Sequence, residues 1–255
     1  MCAEVGILVK PPSLKAAMEA INRIRRLRPN ALLLNLPENV NDIVLEFIAN
    51  ADFNEFMEEI ERKLPKPATA WIKEYEPILK ELPAIGDVSD IICYGDPIFF
   101  KKSAEKAIEL AILTAKTMIT EKINVEAWLK ILKDEVEEEK AALEREGEKI
   151  VELSEIYERS ICLSNFSAKQ IKEKLKEKGI KSWIEYLGQP HHFTPLEVLK
   201  RTLMKREISR EEAEALIKEH LKFIQEYIYR KPFLKAIDEW NKRKLYWIPK
   251  NVDEE

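Results

Sequence analysis

Two of the chain's three histidines stand side by side in Gly188-Gln189-Pro190-His191-His192. Imidazole titrates near neutrality and is the commonest metal ligand, so paired rings after a tight Gly/Pro turn are candidates for acid–base or metal chemistry. Adjacent side chains of an extended segment point to opposite faces, so one ring can line a pocket while the other packs or meets solvent. Two imidazoles do not complete a hydrolytic metal site, and no unambiguous third ligand stands beside them. Asp96 follows Gly95 at a predicted strand end, where ligand loops cluster in open α/β sheets, and it serves equally well as a cap for the next helix. Arg159 falls late in a long predicted helix, where it binds an anionic group or makes a structural ion pair. His220, among Lys and Glu neighbours, is expected on an exposed helix face. Cys93 lacks the base and third group that would make it a nucleophile. There is no GxSxG, P-loop, GxGxxG or HExxH pattern.

The elements that must position these residues read as an α/β fold: a mostly parallel central sheet flanked by helices, with a long helical insertion and a helical C-terminal tail. Strands are predicted at residues 4–9, 31–36, 91–94 and 180–187. The first is short and β-branched. The second, Ala-Leu-Leu-Leu-Asn-Leu, is nearly continuous in apolar residues, as suits a strand buried on both faces. Between them Ser13 is a candidate N-cap, and Ala17, Met18, Ile21, Ile24 and Leu27 recur at helical spacing. Helices are expected at 40–48 and 53–64, with a shorter one at about 71–82. A long helical region spans about 103–163 with a break near 122–125. Its stretch 133–149 is almost solidly charged, as expected of a solvated helix laced with i,i+4 ion pairs. Residues 168–178 form an amphipathic helix ending at Gly179. The aromatics of 233–247 are expected to pack a terminal helix onto the body. This organisation gives one α/β domain over 1–200 and a helical extension, 201–255, packed on it.

Composition narrows the function classes. The 255 residues carry 42 basic and 46 acidic side chains, a net charge of −4, which disfavours a generic nucleic-acid footprint. Charged residues are 35% of the chain and glutamine occurs three times, a pattern that leans toward a heat-adapted source. Three scattered cysteines without CxxC indicate neither a disulfide framework nor a zinc knuckle. No apolar run approaches membrane-spanning length and the start lacks a signal-peptide pattern, so the expected compartment is the cytoplasm.

Several short motifs occur in an order that resembles the TraB/ChaN-like superfamily, which includes TraB proteins, Tiki-type metalloproteases, erythromycin esterases and haem-binding lipoproteins. They are Val5-Gly6-Ile7-Leu8-Val9 leading to Ser13, the run from Ile24 through Arg28-Pro29-Asn30 to Leu36, Tyr94-Gly95-Asp96-Pro97-Ile98, Glu158-Arg159-Ser160 and Gly188-Gln189-Pro190-His191. Together they cover most of residues 4–200. The resemblance implies a metal held by two histidines and a carboxylate, but the chain departs from it. Val9 stands where the first GxxH has its histidine, Asn35 where the second strand ends in Glu, Pro97 where Arg follows Gly-Asp, and Ser160 where an acid follows Glu-Arg. Valine does not ligate a metal and asparagine is a weak neutral ligand. Glu38 is the substitute carboxylate within the next loop, and Lys10 supplies a positive charge beside the replaced histidine.

Three functions remain open. The first is a divergent TraB/ChaN-like protein that binds a small molecule or peptide at the carboxyl ends of the strands without the full metal-hydrolase site, with Lys10, Asn35, Arg159 and His192 as ligand-binding residues. The second is a hydrolase with a rearranged site of Glu38, Asp96 and His191, in which His191 and His192 hold zinc, manganese or cobalt. The third is an interaction protein acting through its charged helix and aromatic tail, with a homo-oligomer among its forms.

Overall fold

The computed structural model describes residues 3–85 and 88–243. Five strands form one parallel sheet: Glu4–Val9 (β1), Ala31–Pro37 (β2), Asp90–Gly95 (β3), Arg159–Ser164 (β4) and Lys181–Tyr186 (β5). Their spatial order is β3-β2-β4-β1-β5. The α/β fold expected from the sequence is therefore the fold observed. Four of the strands coincide with the predicted ones, to within two residues at either end. The fifth, β4, is a correction. Residues 159–163 were expected to end a helix, but they lie at the centre of the sheet, with Ile161 paired to Gly6 on one side and Leu32 on the other. Neighbouring strands on both sides pair with this short segment, and that pairing overrides a helical periodicity carried over from the preceding residues.

Alternation along the strands divides the core into two layers. Leu8, Leu32, Leu34 and Leu163 face α1 (Leu14–Leu27), α2 (Asn41–Asn50), α3 (Phe53–Lys63) and α4 (Lys66–Glu74). Val5, Ile7, Val9, Leu33 and Cys162 face α7 (Val125–Ile156) and α8 (Ala168–Glu177). Ser13 caps α1 as expected, its Oγ accepting the Ala16 N–H at 3.1 Å. The short helix α5 (Glu76–Leu79) completes the first layer. At the other end of the long hairpin, α6 (Pro97–Thr120) runs back along α7.

Much of the charged stretch of α7 is exposed, as expected, but its ion pairs are mostly not the i,i+4 pairs anticipated within the helix. Its residues pair with other elements: Glu138 with Lys102, Asp134 with Lys106, Arg145 with Asp96, Lys149 with Glu38, and Glu144 with Lys174. Lys140–Glu137 is a pair within the helix itself. The tail helices α9 (Pro195–Leu203) and α10 (Arg210–Phe223) pack Leu199, Ala213 and Ile217 against Val125, Trp128 and Leu132 of α7. A π-helical turn at Ile224–Ile228 leads to α11 (Phe233–Arg243), whose Ala236, Ile237 and Trp240 pack on Phe223 and Tyr227. Of the aromatics expected to hold the tail, Trp240 does so, Phe233 is exposed at the cavity, and Tyr246 and Trp247 lie outside the described residues. Among the described residues no helix is long and apolar enough to cross a membrane.

Candidate functional site

The sheet order creates a crevice. The chain leaves β1 for α1 on one face of the sheet and leaves the adjacent β4 for α8 on the other. Connections that diverge from neighbouring strands leave a gap above their carboxyl ends, the usual ligand position in parallel sheets. Lys10, the first residue after β1, and Asn165, the first after β4, both line a cavity of about 530 Å³. Asn35 and Leu36 of β2 line it too. Its walls are largely aromatic and aliphatic: Trp71 of α4 and Tyr75 at its end, Phe99 and Phe100 of α6, and Phe223, Phe233 and Ile237 from the tail. Trp71 meets Phe100 edge to face, with centroids 5.8 Å apart.

The polar groups of the cavity fall into three sets. Lys10 is 5% exposed and its ammonium lies 4.4 Å from the centroid of the Tyr75 ring. Burial lowers its pKa, opposed by the nearby Glu74 carboxylate. Glu74 is in turn pushed up to about 7, by burial first, with Lys10 pulling the other way and Glu197 adding repulsion. Glu197 closes a capping box at the start of α9, its Oε2 accepting the Thr194 N–H at 2.7 Å. Burial raises its pKa as well. The third set is neutralised: Lys200 lies 3.0 Å from Glu135 and 2.8 Å from Glu139, and Ser103 donates to Glu135 at 2.9 Å.

Below Asn35 lies a further buried carboxyl. Glu146 accepts the Asp96 N–H at 3.0 Å and the Asn35 side-chain amide at 3.4 Å. It is 5% exposed, and burial raises its pKa to about 7 despite those hydrogen bonds. Asp96 caps α6 by accepting the Ile98 N–H at 2.8 Å, and its other oxygen pairs with Arg145. Of the two roles read for Asp96, the cap is the one in place.

The residues singled out in the sequence are thus separated. Lys10 and Asn35 reach the cavity, and Asp96 joins Asn35 through Glu146. Glu38 makes a surface ion pair with Lys149 at 2.8 Å. Arg159 is exposed and stands at the amino end of β4, opposite Glu4 and away from the cavity. His191 stacks on Phe166 at 5.3 Å and meets Phe193 edge-on at 5.4 Å, with neither ring nitrogen hydrogen-bonded. Burial, then His192 and Arg201, lower its pKa to about 4, so the ring is neutral. His192 is buried, its N–H bound to Asn241 at 2.8 Å and its carbonyl accepting the Trp240 indole N–H at 3.1 Å. His220, expected to be exposed, is buried against Trp128 and lines the cavity, its pKa lowered to about 4 by burial. Among the described residues no group of three or more His, Cys, Asp or Glu is arranged to hold a metal ion.

Glu74, Glu135, Glu139, Glu146, Glu197 and Lys200 were not foreseen. For three of them the sequence did hold a signal. Leu132, Val136, Ala142, Ile150 and Leu153 form the buried stripe of α7, and Glu135, Glu139 and Glu146 fall on that stripe. Carboxyls at positions where the period requires apolar residues mark a polar interior. Comparison with protein-family models, curated proteins and solved structures finds no match.

Proposed function

We propose that the chain binds a small, largely apolar molecule, or an apolar peptide side chain, in the cavity above β1 and β4. In this proposal it is a divergent TraB/ChaN-like protein that works without the metal-hydrolase ligand set. The observation that carries the proposal is the meeting of three features at one place: a diverging strand pair, a cavity of about 530 Å³ with aromatic walls, and a few buried polar groups aimed at its floor. Ligand sites of this size are mostly apolar with a small number of orienting polar groups. The ordered motifs of residues 4–200 support the family assignment, and the replacement of a histidine by Val9 supports the loss of the metal set.

Titration with 1-aminoanthracene, a neutral fluorophore of fitting size, tests the cavity. Fluorescence should rise and saturate, and Ala107→Trp, which places an indole in the cavity wall, should weaken the binding at least about tenfold. Binding that is unaffected by the added indole, or no saturable binding at all, sinks the proposal. Elemental analysis of protein purified without chelator tests the second part. One equivalent of zinc, manganese or cobalt would overturn it in favour of the hydrolase.

A further inference from the structure

One polar group of the cavity wall is left without a polar partner among the described residues, the Lys10 ammonium. It is 5% exposed, lines the cavity, and has neither a hydrogen-bond nor an ion-pair partner among the described residues; its close contact is the face of Tyr75. A buried charge without hydrogen bonds is costly, and an amine can avoid that cost by giving up its proton. Glu74 lines the same cavity, and its charge acts on Lys10 without an ion-pair contact, so it is an acid of this cavity that can take up that proton. A lysine kept only to bind an anion would be poorly served here. An unprotonated Lys10 offers an anion no charge, Glu74 and Glu197 bring carboxyls rather than cations to the same wall, and Lys200 is already neutralised by Glu135 and Glu139. The setting favours an uncharged electrophile.

We infer that Lys10 is a nucleophile that forms an imine with an apolar aldehyde or ketone held in the cavity, with Glu74 as the proton carrier. The inference rests on the cavity being a ligand site, as proposed above. The amine lone pair attacks the carbonyl carbon, a C–N bond forms, and the C=O π pair moves to oxygen, which takes the Glu74 proton. The nitrogen returns a proton to Glu74, leaving a neutral carbinolamine. Glu74 then protonates the hydroxyl, the C–O bond breaks, and water leaves as the nitrogen pair closes the C=N bond. The products are an iminium on Lys10, a Glu74 carboxylate beside it, and one water. No oxidant or further reactant is required. Desolvated lysines in apolar pockets are suited to such chemistry because the neutral amine, not the ammonium, attacks.

The test uses the full chain with cinnamaldehyde as the carbonyl probe and cinnamyl alcohol as its non-electrophilic counterpart. An ordinary lysine is only about 1 part in 2,500 unprotonated at pH 7, so surface lysines react slowly. Brief incubation at pH 7 followed by borohydride should give one reduced adduct, mapped by peptide mass spectrometry to Lys10, at a rate at least about tenfold above any other lysine. Excess cinnamyl alcohol should slow that labelling, and Glu74→Gln should slow it without abolishing alcohol binding. Lys10→Arg should remove the adduct. Labelling spread evenly over surface lysines, or saturable binding of cinnamyl alcohol with Lys10 unlabelled, overturns the imine and leaves the cavity proposal standing. If neither compound binds, both fail. The deciding measurement is made on the unaltered protein, so a variant that does not fold leaves the outcome intact.

Discussion

The histidine loop and the cavity lie next to each other at one edge of the sheet, for Asn165 lines the cavity and Phe166 stacks on His191. Burial favours the uncharged form in both, with different consequences. In the loop it encloses an imidazole among phenyl rings, leaves both nitrogens without partners, and favours the neutral ring. In the cavity it falls on acids and an amine that line the same open space, so desolvation biases the protonation of groups that a ligand can touch. Residue type alone pointed to the loop, because histidine is the familiar reactive side chain. What separates the two regions is the free volume next to the desolvated group.

Proton linkage gives the first and largest way to break this contrast. His191 and His220 both have folded pKa values near 4 against an ordinary 6.5. A depressed histidine pKa means that the unfolded chain binds the proton first, so the stability is present above pH 6.5 and lost as pH falls toward 4. The double variant His191→Phe/His220→Phe removes both groups. Urea denaturation at pH 7.5 and pH 4 should show the wild type losing on the order of 5 kcal/mol more than the double variant over that interval. An equal loss in both proteins would mean that the rings are protonated in the fold, and the neutral imidazole described for the loop, and for His220 in the cavity wall, would be wrong.

The carboxyl side has the reverse sign. Glu146 titrates near 7 in the fold, above the usual value of 4.5. Its neutral form is the one the fold accepts, so its contribution is intact below about pH 4.5 and is lost as pH rises through 7. Glu146→Gln keeps the carbonyl that the Asp96 N–H needs and cannot ionise. The variant should match the wild type at pH 4.5 and exceed its stability at pH 8 by on the order of 3 kcal/mol. A variant weaker than the wild type at pH 8 would show that the carboxylate, paired or hydrated, is what the site holds.

These two titrations also show what the sequence could and could not convey. Strand positions were legible where a short apolar run stood between turns, as at Glu4–Val9 and Ala31–Pro37. The strand Arg159–Ser164 was not, because it follows a 32-residue helix with two intervening residues and is specified by its neighbours β1 and β2. Lys10 and Asn35 were legible as strand-end residues. Glu74 was not, since it sits on a helix far along the chain and comes to the same cavity as Lys10 only through the tertiary packing of α4. His220 looked exposed because its sequence neighbours are charged, yet its ring faces Trp128 on the far side of the same helix. Local pattern reports which face a residue occupies, whereas a cavity is made by elements far apart in the chain.

The smallest effect bears on the loop alone. At pH 7.5 His191 places two unpartnered nitrogens among Phe166, Phe193 and the Arg201 guanidinium, which lies 4.2 Å from the Phe193 centroid. A buried polar atom without a hydrogen bond costs roughly 1–3 kcal/mol, so replacing the ring by one of similar shape and no polar atoms should remove part of that cost. The gain is limited because phenyl is slightly larger than imidazole and the site is closely packed. His191→Phe should therefore raise unfolding stability by about 1 kcal/mol at pH 7.5 and leave 1-aminoanthracene binding unchanged. A loss of stability would reveal a polar partner for His191. A loss of binding at unchanged stability would return the ring to the functional site and merge the two regions that the structure keeps apart.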